Sequence, residues 1–451
     1  MRKLCLVLCL VLMLGVLFGC DNGGGTDDPV VPDQDDFLGL QDGEEFTTDK
    51  EIKISFLRPT GNGAQENWWA VAIKEFNEKY KGKIVVTETS LARDNANGYE
   101  QQISLRAAEG SLPDVLYLDG PYVSNYAYAD ILVPLDNYLT ETYLSDFLPN
   151  VIDQGTYNDR LYALSIVDSA VVIAYNKQIF AEANITVPTK IEDAWTWSKI
   201  KEVAESLTKD LPSGKRRYGL NITGDAGEWM SYAFSPLWSK GTMAPDGKSS
   251  TGYLDGETGV KAAEFLQSLT KKAINKDGSV GDFTNPEGLA AMWLMGTQEI
   301  SNINLIPEFK DNWGVIYYPK NDDGTHTSPC GGWTLGMTSN CSEDKRVAAC
   351  EFIKFLTSVD KVESFAEETC SPPARRSVLD IMDVYNTDEN FKKIKEQIIA
   401  TATLRAKTIG YAEFTPQFSE ALNDIIGSGV NAKDRLTMAA QTIDQKISKL
   451  K

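Results

Sequence analysis

The chain has 451 residues, with 44 Lys and Arg against 64 Asp and Glu and a formal net charge of −20. That balance argues against a nucleic-acid ligand, because phosphate binding needs clustered Lys and Arg, and the length suggests ~two to four domains. A single His argues against a His-based triad and excludes a multi-His metal site, while 42% apolar and 10% aromatic residues supply a sizeable core and exclude wholesale disorder.

The chain opens on an address. Arg2 and Lys3 precede an apolar run over residues 4–18, broken only by Gly15. A membrane-spanning helix needs ~20 residues, so the shorter run reads as a signal-peptide core. It ends in Leu17-Phe18-Gly19-Cys20, which resembles a bacterial lipobox with a bulkier Phe18 than that motif prefers. The resemblance implies a signal over residues 1–19 and a diacylated Cys20 as the mature N-terminus. Two acyl chains suffice for stable anchoring to a membrane. From Asp21 to Glu51 there are eleven acidic residues and one Lys. Residues 20–50 are therefore expected to form a flexible acidic tether.

Residues 52–57 alternate like a strand, 58–67 read as a loop, and 68–80 place apolar residues at helical spacing. A strand at 83–88 completes a βαβ unit, which implies a parallel sheet with a right-handed crossover. A helix at 99–109 and a buried strand at 113–118 follow, and the alternation makes the fold α/β. The β-rich stretch 161–175 is too long for one strand of ~5–6 residues. It reads as two strands in sequence, passing from one domain to another. Helices are expected at 193–207 and 255–272. Ser342 caps a further helix, whose first turn holds Glu343 and Asp344, favourable against the helix dipole. From Phe391 onward the chain reads as mostly helical. Cys330, Cys341, Cys350 and Cys370 lack the C-x2-C spacing of structural zinc. They admit one or two disulfides, as export allows, or buried free thiols.

Several segments then match in order: Leu112-Pro113-Asp114-Val115, Ile131-Leu132-Val133-Pro134-Leu135-Asp136, and Tyr157-Asn158-Asp159-Arg160-Leu161-Tyr162-Ala163-Leu164. Ala174-Tyr175-Asn176-Lys177, Phe180, Pro188 and Trp195-x-Trp197 follow, then Ala290-Ala291-Met292, Gly296, Gly331-Gly332-Trp333, and Glu351-Phe352-x-Lys354-Phe355-Leu356 with Pro373-Ala374-Arg375. In this order the chain resembles the extracellular solute-binding proteins (family 1) of bacterial ABC importers, the group that includes maltose-binding protein. It departs from the pattern at Ser165, where the family usually has Pro, at Asn158-Asp159, where it has Gly, and at Gln298, where it often has a ligand-stacking Trp. The resemblance implies the two-lobe periplasmic-binding-protein fold of type II, with hinge crossings and a ligand cleft between the lobes. Residues 50–165 plus 297–340 would form the first lobe and 166–296 plus 341–451 the second.

The resemblance also implies a carbohydrate ligand, an oligosaccharide by preference, delivered to an ABC permease and its ATPase by a monomer held to the membrane by lipid. No catalysis, cofactor or metal is expected. Sugars need flat apolar platforms beside groups that replace water. Trp333 follows two Gly that let a backbone approach a ligand. Asp119 ends a buried strand and would face the crevice, with Tyr122 beside it. Asp168 interrupts an apolar run and either faces the cleft or is paired. Trp229 is a candidate platform of the second lobe, and Trp68 and Glu66 open the first helix. Trp69, Trp195 and Trp197 read as structural, and Arg375 and His326 as exposed. The rivals are the same fold with a non-sugar solute, a lipoprotein that serves no transporter, and an exported glycan-active enzyme, for which no catalytic motif is visible.

Overall fold

In a computed structural model the chain is described for residues 37–93, 98–222, 228–270, 273–276 and 278–450. The expected signal and Cys20 lie outside the described residues. Strand Ile52–Pro59 comes from the alternating run, with Ile54 and Phe56 buried. Helix Gly63–Lys79 starts five residues before the expected 68, because Asn62 and Gln65 form a capping box there. Its inner face buries Trp68, Trp69, Ala72, Ile73 and Phe76, the three-and-four spacing of a helix packed on a sheet. Ile84–Leu91 then pairs with Ile52–Pro59 in parallel, as the βαβ reading requires.

Two sheets result. The first runs Ile84–Leu91, Ile52–Pro59, Val115–Asp119, Trp333–Met337, Ala163–Ser165, the last two pairings being antiparallel. The second runs Ile274–Asn275, Arg216–Ile222, Ala290–Gly296, Val171–Asn176, Trp313–Ile316. The stretch 161–175 is thus a crossing: Ala163–Ser165 belongs to the first sheet and Val171–Asn176 to the second. The chain crosses back between Trp313–Ile316 and Trp333–Met337. The hairpin before the first crossing turns at Asn158 and Asp159, with φ of 46° and 58°. A two-residue hairpin loop wants two positive φ values, which Asn and Asp tolerate. That explains how this chain dispenses with a glycine here.

The expected partition needs correction at two places. Trp313–Ile316, grouped above with the first lobe, pairs antiparallel with Val171–Asn176 in the second sheet. Helices Glu343–Leu356 and Val359–Thr369, grouped with the second lobe, pack on the first sheet and on Gly63–Lys79. Phe352 meets Phe56 at 5.2 Å, and Phe365 meets Trp68 at 4.8 Å. Sheet membership follows hydrogen-bond register, which order along the chain does not reveal. We refer to these as the first and second bodies. Helices Trp197–Leu207, Glu257–Thr270, Tyr411–Asn423 and Ala432–Ile447 belong with the second.

Other expectations also shift. The tether does not extend to residue 50: the Leu38 N–H donates to the Asn137 carbonyl at 2.7 Å, and Phe46 is buried, its ring 6.5 Å from Tyr80. The helix expected at 193–207 begins at Trp197, where Thr196 caps it by accepting from the Lys199 N–H. Ser342 sits at the expected cap position, but its hydroxyl bonds Asp344 instead of the backbone. Arg375 is not exposed. Its guanidinium donates to Asp146 at 2.9 Å and to the Thr357 carbonyl at 2.7 Å, and lies over the rings of Phe147 and Tyr143. His326 is half-buried, with Nε2 at 2.9 Å from the Tyr318 carbonyl. Among the described residues no helix is long and apolar enough to cross a membrane.

The cysteine question resolves to free thiols. Cys330, Cys341 and Cys350 are buried and Cys370 is half-buried, none in a disulfide. Burial pushes each thiol above its usual range, and thiolate is the reactive form. A chain starting after Cys20 should therefore react slowly with a thiol reagent at pH 8 and give four equivalents rapidly once denatured. Two or no equivalents after denaturation without reductant would indicate disulfides instead.

Candidate functional site

Several strand ends and connections meet between the two bodies. Strand Val115–Asp119 delivers Asp119 at its carboxyl end, and Trp333 stands opposite it in register. The first crossing brings Asp168 and Ser169. Helix Glu228–Phe234 presents Glu228, Trp229 and Tyr232. Arg93 follows strand Ile84–Leu91, and Arg405 sits on the segment leading into Tyr411–Asn423. These side chains, with Gln65, Tyr117, Gln298 and Phe365, line a cavity of about 250 Å³.

Charge is concentrated on one wall. Arg405 forks onto Asp119, with one N–H donating to Oδ2 at 2.9 Å and another to Oδ1. Arg93 donates to Glu228 at 2.8 Å and to Glu100 at 3.2 Å, and lies 3.8 Å from Asp119. The Tyr122 hydroxyl donates to the other Glu228 oxygen at 2.7 Å. Burial pushes the Asp119 carboxyl up, but Arg405 and then Arg93 outweigh it, so it stays ionised below the usual range. Burial, and then the neighbouring Asp119 charge, push Glu228 up to about 7 despite both guanidiniums.

The opposite wall is neutral or unpaired. Among the described residues Asp168 has no cation partner. Its Oδ1 accepts from the Gly331 N–H at 2.8 Å and the Ser169 N–H at 2.7 Å, and Asn150 donates to Oδ2. Burial outweighs those donors and raises its carboxyl. Gly331 reaches this position with φ of +102°, and an added Cβ would lie 2.2 Å from the Gln154 amide oxygen. Only glycine fits both demands.

Two aromatic planes complete the cavity. Trp333 lies 5.5 Å from Tyr117 at an interplanar angle of 34°, with the Arg93 guanidinium 4.9 Å from its ring. Trp229 meets Tyr232 edge-on at 5.7 Å. Its indole N–H is buried without a hydrogen-bond partner among the described residues, a cost that an acceptor on a ligand would remove. Flat apolar faces interleaved with donors and acceptors suit a ring that carries hydroxyls.

Of the residues singled out from sequence, Trp333, Asp119, Trp229 and Asp168 line this cavity together. Three others lie elsewhere. Trp68 is core: it is 4% exposed, its indole donates to the Ser364 hydroxyl at 3.0 Å, and it packs on Trp69 and Phe365. Glu66 is taken by Arg58 in a two-pronged pair and by the Gly61 N–H. Tyr122 stands behind Glu228, its ring against Tyr126 and Tyr411. The phase of the first helix decides the first two: Gln65 lines the cavity instead. Arg93, Glu228, Tyr232 and Arg405 were missed. Arg93 and Arg405 lie in segments without a motif, and only the tertiary approach gives them a role. Gln298 does line the cavity, a polar group where a stacking ring was a possibility. Among the described residues no three His, Cys, Asp or Glu side chains are grouped to hold a metal ion.

A cleft of this kind between two α/β bodies defines a two-lobe binding protein of type II. The chain belongs to the family described as bacterial extracellular solute-binding protein, whose model matches residues 60–363. It is similar to the maltotriose-binding protein of Pyrococcus abyssi, with 28% identity over 301 residues, 64% of this chain and 60% of that one. It is 24% identical over 318 residues to the arabinooligosaccharide-binding protein of Bacillus subtilis, 68% of this chain and 69% of that one. With binding proteins of Brucella abortus and Brucella suis the match is 24% over 178 residues, and the chain spans only 41% of their length. In fold it is similar to a solute-binding protein of Thermotoga lettingae solved with α-D-tagatose, with a TM-score of 0.73, 21% identity, and coverage of 88% of this chain and 100% of that one.

Proposed function

We propose that this chain is the substrate-binding lipoprotein of an ABC importer, and that it encloses a carbohydrate in the cavity between its bodies and hands it to the permease. The observation that carries this reading is the lining itself: Trp333 and Trp229 as platforms, beside Asp119, Asp168 and Ser169 as polar partners. The sugar ligands of the relatives named above support it. The lobes would be residues 52–165 with 333–369, and 171–316 with 389–447. Cys20 would hold the chain, as a monomer, to the outer face of the membrane. The permease would meet the outer faces of the closed lobes, and its ATPase would supply the energy. Ligand pockets commonly measure ~300–1,000 Å³. A cavity of about 250 Å³ favours one or two sugar rings over the longer oligosaccharide expected from sequence.

A thermal-shift screen of residues 30–451 tests this. The panel holds mono-, di- and oligosaccharides, with amino acids, polyamines and metal ions as controls. A ligand that binds only the native state adds RT ln(1 + [L]/Kd), ~2.7 kcal/mol at a hundredfold excess over Kd. The expected result is a shift with one class of short saccharide. Shifts confined to the controls, or silence across the panel, would contradict the sugar reading.

A further inference from the structure

Glu228 is the one carboxylate of the charged wall that comes from the second body. It heads helix Glu228–Phe234, which packs on Tyr411–Asn423. Among the described residues its carboxylate accepts from Tyr122 and Arg93, both of the first body. We propose that Glu228 is a positioning residue that, beside the Arg405–Asp119 pair, ties the two bodies together around the cleft, and that it takes up a proton as they close. The inference rests on the two-body fold and on no particular solute.

The charge count carries it. Asp119, Glu228 and Glu100 share two guanidiniums, Arg93 and Arg405. Arg405 commits both of its terminal nitrogens to Asp119. Arg93 is divided between Glu228 and Glu100. Among the described residues the remaining titratable groups facing Glu228 are Tyr122 and Tyr126 from the first body and Tyr411 from the second. Burial pushes each of their hydroxyls up, so they stay neutral. Among the described residues one negative charge is therefore left without a cation in a buried cluster, where an unpaired carboxylate is costly. A proton removes the cost.

Two groups could hold that proton. Glu100 shares the first body with Arg93, so their pairing survives when the bodies part, although burial raises its carboxyl too. Glu228 is 8% exposed here and returns to water on opening, where a Glu titrates near ~4.3. In the closed arrangement it is pushed up to about 7. A group whose value is higher in the closed form is protonated on closing. Between those two values the ratio of closed to open molecules rises about tenfold for each pH unit that the pH falls. Above about pH 7 both forms are ionised and the dependence ends.

Small-angle scattering of ligand-free residues 21–451, which hold every described element, tests this from pH 8 to 5 without any sugar. The expected result is a compact population that grows as pH falls below about 7, with the closed-to-open ratio changing up to tenfold per unit. Glu228→Gln mimics the neutral acid, keeps one acceptor oxygen for Arg93 while its amide N–H can donate to the Tyr122 hydroxyl, and should be compact and insensitive to pH. Glu100→Gln should follow the wild type. A pH-independent wild-type curve would overturn the proposal. So would a pH dependence abolished by Glu100→Gln and kept by Glu228→Gln. Because no saccharide enters the experiment, failure of the sugar reading leaves this result standing, and the reverse.

Discussion

Arg405→Ala should strongly weaken solute binding and cost the fold about 3–5 kcal/mol, because it removes the forked partner of a buried carboxylate and leaves Asp119 only the more distant Arg93. The two side chains are 9% and 6% exposed, so solvent screens little of the interaction. Arg405 also packs its guanidinium 4.8 Å from the Tyr232 ring, holding a second cavity residue in place. Lys would not substitute, since a point charge cannot grip both carboxylate oxygens. Arg405→Lys should therefore recover part of the stability and little of the binding. Urea unfolding at pH 7 and titration with the saccharide that gives the largest thermal shift measure the two effects separately. Unchanged affinity in Arg405→Ala would show that the Arg405–Asp119 pair takes no part in binding.

Trp333→Ala should weaken saccharide binding by about thirtyfold or more, the ~2 kcal/mol expected for a central aromatic anchor. The ring is half-exposed to the cavity, so much of its value lies in a face that only a ligand covers. Trp68→Ala makes the opposite case. That ring is locked between Trp69 and Phe365, and its loss should cost about 3–5 kcal/mol of stability while leaving the affinity of the folded protein unchanged. Calorimetric titration and urea midpoints on both variants distinguish platform from core. Affinity lost equally in the two would mean that Trp333 acts only by holding the fold.

The contrast between those two tryptophans shows what was legible. Trp333 could be picked out because two glycines precede it, and Gly331 indeed turns through a positive φ to meet Asp168. Asp168 stood out as a carboxylate in an apolar run, and Asp119 as the end of a buried strand. Each carried a local anomaly that marked it out, even where, as at Asp168, that anomaly admitted pairing as well as the cleft. Trp68 carried none, since a Trp at the start of a helix faces the core or the cleft by helical phase alone. Glu66 offered a charge near the crevice, but Arg58, eight residues away, claims it. Arg93 and Arg405 were illegible for the converse reason. An Arg in an unremarkable segment looks like a surface charge until the bodies bring it to a carboxylate.

The fold divides in the same way. Alternation and helical spacing gave the βαβ start and the crossing at 161–175, because period and length are local properties. Placement of Trp313–Ile316 in the second sheet, and of helices Glu343–Leu356 and Val359–Thr369 on the first body, depends on pairing across more than a hundred residues. No local pattern encodes that. The inner end of the expected tether is ordered instead, because Phe46 supplies enough apolar surface to dock beside Tyr80.

The most direct test is a crystal structure of the chain with the saccharide that gives the largest thermal shift. The expected result is a sugar ring between Trp229 and Trp333, with hydroxyls on Asp119 or Asp168 and an acceptor on the Trp229 indole N–H. A saccharide bound outside this cavity, or a cavity that admits only a non-sugar solute, would contradict the assignment of the cleft.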